Sequence, residues 1–152
     1  MANTQAVCNS FRPELMSGIH ALGVTVIRAG TTVDTFKAAL YLASATVDST
    51  TTAYSSTGEL AATGNYSAGG VTVTNATAPT NTTSTAFWTP SASLAWTTLT
   101  SSGAFDAVLL YNSTQSNKAV AVYTFGSQTV TAGNFTITMP TNNSSTGLLR
   151  LA

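Results

Sequence analysis

Apolar and polar positions alternate along most of this chain with a period of two, and the densest apolar stretch is a pair of runs in its last third. Phe105, Ala107, Val108, Leu109, Leu110 and Tyr111 make the first run, Ala119, Val120, Ala121, Val122, Tyr123 and Phe125 the second, and the polar residues 112–117 separate them. A strand that is apolar on both sides must be covered on both sides, so the pair predicts a hairpin at the centre of a sheet. Residues 34–42 predict a partner strand, with Phe36, Ala38, Leu40 and Leu42 on one face and Lys37 and Tyr41 on the other. Shorter strands are expected at 24–29, 71–74, 85–89, 93–99, 128–130 and 135–139. A last one is expected in the apolar tail 147–152, because a frayed terminus is seldom apolar. Turns fall at 30–33, at Pro90-Ser91 and at Gly133-Asn134, and the Gly69-Gly70 pair suits a bulge or a positive φ.

Only residues 10–23 carry a helical period. Phe11, Leu15, Ile19 and Leu22 form one stripe, Ser10 stands where an N-cap belongs, Pro13 fits the first turn, and Gly23 is the expected stop. So short a helix needs a surface to lie on, either this chain's sheet or a neighbouring subunit. Residues 43–57 and 75–84 have few apolar anchors and predict polar surface loops, the first a candidate contact surface together with Tyr54. About nine or ten short strands in sequence predict an all-β fold, an antiparallel β-sandwich of jelly-roll-like type with one short N-terminal helix. The organisation is an N-terminal arm, 1–23, followed by one sandwich domain, 24–152.

Composition sharpens this. The chain has 152 residues, of which 43% are hydrophobic and 7% charged. The charged share is far below the usual ~25%, and Thr, Ser, Asn and Ala fill the gap. Thr packs well on a pleated, half-exposed surface. Five basic and five acidic side chains give a formal net charge of +0. No basic cluster is present to neutralise phosphates or hold an anionic bilayer, so neither nucleic acid nor membrane is an expected partner. A surface with so little charge has weak protection against association, which favours a subunit that works inside an assembly. The N-terminus lacks a basic stretch followed by an apolar one, so no signal peptide is expected. The Asn-x-Ser/Thr triplets therefore read as a by-product of composition.

Chemistry is sparse. The one His20 has no Gly-x-Ser-x-Gly elbow elsewhere to serve, and a lone histidine is more often structural than catalytic. Cys8 excludes an internal disulfide and reads as a small buried hydrophobe. One His and one Cys do not make a zinc site, whereas calcium would need Asp34, Asp48, Glu59 and Asp106 to converge without any loop signature. Asp106 and Lys37 interrupt apolar runs and are expected at the sheet rim or paired with each other. Tyr41, Tyr54, Tyr66, Trp88 and Trp96 suit a sugar-stacking platform, but core packing or a subunit interface is the commoner fate of large aromatics. No catalytic residue and no cofactor is expected, and the chain is read as a non-enzyme.

Several stretches in order resemble a family of small tailed-bacteriophage virion proteins. They are Phe11 with residues 14–20, residues 34–41, Thr52-Ala53-Tyr54 with Gly58-Glu59-Leu60, residues 64–70, and Tyr111-Asn112 with residues 117–120 and Phe125-Gly126. The resemblance implies a structural component of the virion, made in the host cytoplasm, and supplies no catalytic residue. A charge-poor Thr/Ser/Asn/Ala surface is also that of decoration or cement subunits. The expected function is a capsid decoration protein that binds the major capsid protein, other virion subunits and copies of itself, and stabilises the head. A head–tail connector or tail subunit is the alternative within the virion, and a carbohydrate-binding β-sandwich the alternative outside it. The expected interface residues are Phe11, Leu15, Ile19, Leu22, Tyr54, Leu149 and Leu151.

Overall fold

The paired apolar runs form the hairpin of β7 (Phe105–Asn112) and β8 (Lys118–Gln128). In the computed structural model, which describes residues 2–16, 18–23, 33–82 and 84–151, this hairpin lies at the middle of a five-stranded antiparallel sheet. The order is β1 (Ala6–Val7), β8, β7, β2 (Phe36–Leu42), β3 (Val71–Thr72). β7 is buried along nearly its whole length, and β2 on both its faces. Register places Ala38 opposite Leu110 and Leu40 opposite Val108, which fixes one face, and Lys37 opposite Tyr111 and Ala39 opposite Leu109, which fixes the other.

The Phe36–Leu40 face packs on a second layer made of two small sheets. One has the order β10 (Leu149–Leu151), β5 (Thr85–Trp88), β4 (Thr80–Thr82), and the other pairs β6 (Leu94–Leu99) with β9 (Gly133–Ile137). Trp88 reaches the first sheet at Phe36, with ring centroids 6.0 Å apart, and Phe135 meets Phe105 edge-on at 5.0 Å. Two facing antiparallel layers make the molecule an all-β, sandwich-like fold.

The opposite face is closed by residues 43–70, which contribute almost no regular structure. The expectation of a surface loop at 43–57 is corrected here. Ala45 and Val47 are buried, Tyr54 stacks on Tyr111 at 4.7 Å and 15°, and the Tyr41 hydroxyl donates to the Ser55 carbonyl at 2.5 Å. The loop stays because β2 offers it a free edge: Leu60 N–H donates to Leu40 O and Leu42 N–H to Gly58 O. Gly70, at φ +70°, lies so close to β2 that a Cβ there would stand 1.8 Å from the Ala38 carbonyl oxygen.

The helix is shorter than its apolar stripe suggests. α1 spans Phe11–Met16 and ends at Gly18, at φ +69°. Gly18 N–H donates to Leu15 O and Ile19 N–H to Glu14 O, the paired bonds of a Schellman C-cap. Ile19 and Leu22 thus follow the helix instead of extending it. Ser10 does not cap it by side chain, since its hydroxyl is buried without a hydrogen-bond partner. The segment 1–23 is joined to the sheet through β1, where Ala6 pairs with Val122 and Val7 with Ala121.

Smaller differences are local. The polar stretch 75–84 contains β4, β8 runs on through Gln128, and β9 begins at Gly133, so the turn before it centres on Ala132 at φ +47°. The predicted strand 24–29 and most of the turn 30–33 lie outside the described residues. Lys37 and Asp106 do not form the expected pair. Asp106 accepts from Asn3 Nδ2 at 2.6 Å, and Lys37 Nζ lies beside Gly69.

Candidate functional site

Two features meet at the end of the sheet where β2 begins and β7 stops. The first is an apolar cleft of about 280 Å³ between α1 with Gly18, His20, Ala21 and Leu22 on one wall and β5 and β10 on the other. Register sets Leu149 opposite Trp88 and Leu151 opposite Ala86, so these four share the sheet face that looks into it. Of the seven expected interface residues, Phe11, Leu15, Leu22, Leu149 and Leu151 line this cleft. Phe11 and Leu149 are buried within the chain and form its floor, while Leu151 at the rim is 50% exposed. Met16 on α1 is 91% exposed. Ile19 is half-buried and does not line the cleft. Tyr54 belongs elsewhere, under the 43–70 cover, with its hydroxyl donating to Glu59 Oε2 at 2.6 Å. Trp88, Pro79 and Val7 complete the cleft and were not legible as its walls, because the sheets that place them pair residues far apart in sequence.

The second feature is a buried polar chain beside the cleft. His20 Nε2 meets Glu14 Oε2 at 2.9 Å, and His20 Nδ1 meets Asn112 Nδ2 at 3.1 Å. Asn112 Nδ2 also donates to Asp34 Oδ2 at 2.8 Å. Asp34 further accepts from Ala21 N–H at 2.6 Å and from Gln115 Nε2 at 3.1 Å. Lys118 Nζ reaches Glu14 Oε1 at 2.5 Å, which ties α1 to β8. The His20 side chain has no exposed surface, and Asp34 and Asn112 are 2% and 0% exposed.

Burial lowers the His20 pKa below its ordinary 6.5, against the opposing pull of Glu14 and Asp34. Burial pushes Glu14 upward, but its hydrogen bonds to Lys118 and His20 outweigh that and leave its carboxyl below the ordinary value. Cys8, fully buried, has its thiol pushed up to about 11 by burial and the nearby Asp48 and Glu14 carboxylates. Both His20 ring nitrogens are engaged by neighbouring side chains, so neither is open to act as a base toward a bound molecule.

The four carboxylates weighed for calcium sit in four separate settings. Asp34 is in this chain, Asp48 binds Thr50, Glu59 lies among the tyrosines, and Asp106 is held by Asn3. Among the described residues no three His, Cys, Asp or Glu side chains converge as a metal site requires. Tyr41, Tyr66, Trp88 and Trp96 are 1%, 3%, 1% and 3% exposed, so their rings do not form a sugar platform. Among the described residues no helix is long and apolar enough to cross a membrane. Searches of protein-family models, of curated proteins and of solved structures find no match to this chain.

Proposed function

We propose that this chain is a structural subunit of a bacteriophage virion, a capsid decoration protein that seats on the major capsid protein and on copies of itself and stabilises the head. What carries the reading is the apolar cleft rimmed by Leu151, with the exposed Met16 on the helix that walls it, in a chain of which only 7% is charged. Exposed apolar groups rimmed by polar ones are the mark of an association site. The mechanism is passive: burial of apolar area at roughly 25 cal/mol per Å² offsets the entropic cost of docking, and many copies on one shell multiply modest contacts into a durable one.

The test is co-sedimentation of the purified protein with phage heads stripped of it. The expected result is saturation at a fixed number of copies per head and a rise in the temperature at which the head breaks. The double variant Met16→Ser, Leu151→Ser should unfold at the same denaturant concentration as the parent, within about 0.5 kcal/mol, since surface changes are nearly neutral, and should bind heads at least tenfold more weakly. Failure of the parent protein to bind heads overturns the reading.

A further inference from the structure

The orientation of one amide fixes the protonation state of the only histidine in the chain. Asn112 Oδ1 accepts from the backbone N–H groups of Thr114 and Gln115, at 3.1 and 3.2 Å, so its Nδ2 is the atom that faces Asp34 Oδ2 and His20 Nδ1. An amide NH₂ only donates. His20 Nδ1 must therefore accept and carry no proton, which leaves the ring proton on Nε2, where it is donated to Glu14 Oε2. A second proton has one place to go, Nδ1, and there it would set N–H against NH₂.

The ring is packed against Phe11, with centroids 4.8 Å apart, and stands 6.5 Å from Phe36, so a turn of the ring has to displace buried neighbours. Among the described residues the charged groups facing it are Glu14 from α1, Asp34 from the stretch before β2 and Lys118 from β8, while β7 presents the uncharged Asn112. The two carboxylates favour a cationic ring and Lys118 opposes it. The conflict thus falls on the Asn112 bond, one of several that hold residues 18–23, beside Ala21 N–H on Asp34 Oδ2 at 2.6 Å and Gly23 N–H on Asn75 Oδ1 at 2.8 Å.

We infer that His20 and Asn112 form an acid-operated latch: protonation of Nδ1 breaks their bond, and because a released ring takes that proton freely, acid lowers the cost of releasing residues 18–23, their bonds to Asp34 and Asn75 included, while the five-stranded sheet stays folded. Gly18, Ala21 and Leu22 form one wall of the apolar cleft, so release of this segment opens it. Release stops short of β1, because Cys8 N–H is bonded to Val120 O and Asn9 N–H to Ser49 O within the body of the sheet.

With one histidine in the chain, long-range proton–nitrogen NMR of the full protein reads the joint directly. At pH 7 the expected signal is a neutral ring protonated on Nε2. Amide exchange protection of residues 19–23 should fall as pH drops below 6, by up to about tenfold per pH unit for a one-proton event, with protection in β7 and β8 unchanged. His20→Gln takes no proton, and in it the fall between pH 7 and pH 5 should vanish. A ring protonated on Nδ1 at pH 7, protection of 19–23 that is equal at the two pH values, or an equal fall in His20→Gln overturns the latch. If His20→Gln does not fold, the parent's tautomer and exchange profile decide.

Discussion

On one side of β2, β7 and β8 the cover consists of strands, and its closest contacts are aromatic: Trp88 on Phe36, Phe135 on Phe105 and Trp96. On the other side the cover is the irregular run 43–70, and its contacts are phenol hydroxyls. Tyr54 and Tyr66 both donate to the buried Glu59, which also accepts from Gly69 N–H at 2.7 Å, and Tyr111 donates to Gly69 O at 2.8 Å. The Tyr66 hydroxyl in turn accepts from Leu40 N–H at 3.0 Å, filling a place on the β2 edge that a strand partner would otherwise take. Packed rings tolerate loss of shape poorly but are indifferent to pH. A cover made of hydroxyls and a carboxylate depends on where each proton sits. The same sheet is therefore closed by area on one side and by protonation state on the other.

The largest break in that contrast is Gly70→Ala. The new Cβ would overlap the Ala38 carbonyl in a backbone conformation that L residues rarely adopt, so the loop must leave β2. We expect a loss of about 5 kcal/mol or more, read as a urea midpoint too low to give a folded baseline. On the opposite side, Trp88→Ala removes the largest fully buried side chain and should cost about 3–5 kcal/mol. Its indole N–H also leaves the Thr77 carbonyl. Unfolding followed by denaturant should show this loss equally at pH 8 and pH 11.

Alkali should weigh most on the hydroxyl cover, where four phenols are raised, against one, Tyr123, on the strand side. Burial raises the phenols of Tyr41 and Tyr111 to about 12, and those of Tyr54 and Tyr66 upward as well, with the Glu59 hydrogen bond adding to burial in both. The unfolded chain loses these protons near pH 10. Between pH 10 and the raised native values the unfolded state binds fewer protons than the folded one, so stability falls as pH rises through that window. At pH 11 each of Tyr41, Tyr66 and Tyr111 should lower stability by about 1 kcal/mol, seen as a falling urea midpoint between pH 9 and pH 11. Tyr66→Phe removes a single hydroxyl from that cover. It should cost about 1–3 kcal/mol at pH 7, because Glu59 Oε1 keeps only the Gly69 N–H and Leu40 N–H is left unpaired, and it should flatten the alkaline fall. An alkaline fall as steep in Tyr66→Phe as in the parent would remove the hydroxyl cover as its cause.

The two covers also differ in how far sequence reveals them. The central hairpin and the C-terminal strand follow from continuous apolar runs, and β2 and the aromatic strands from a period-two pattern, signals that local residues carry themselves. The 43–70 cover leaves no such trace, because it is held by single side chains bonding to distant backbone. Tyr41, Tyr54 and Tyr66 read as generic large aromatics until β2 gives their hydroxyls an address. The helix was overextended for a related reason: Ile19 and Leu22 continue the stripe, and the stripe outvotes Gly18, although glycine in the left-handed region is what ends α1. In the polar chain, Asn112 lies 92 residues from His20 and 78 from Asp34. One signal was present, an Asp and an Asn standing at the polar ends of two apolar runs that pair antiparallel. Five of the expected interface residues share a cleft because the helical stripe and the apolar tail both had to find an apolar surface, and the tail's partner strand lies next to the helix.

The pairing of Ala6 with Val122 bears on how this polypeptide comes off the ribosome. The first strand of the sheet has no partner until the eighth has been synthesised, and β2, which meets β3 and residues 58–60 early on one edge, must wait for β7 on the other. Sheets assembled from such distant partners close slowly, in milliseconds to seconds. A nascent chain holding β2 without β7 would carry an apolar strand with one edge unpaired, so premature termination before β7 should yield aggregates instead of a smaller folded piece.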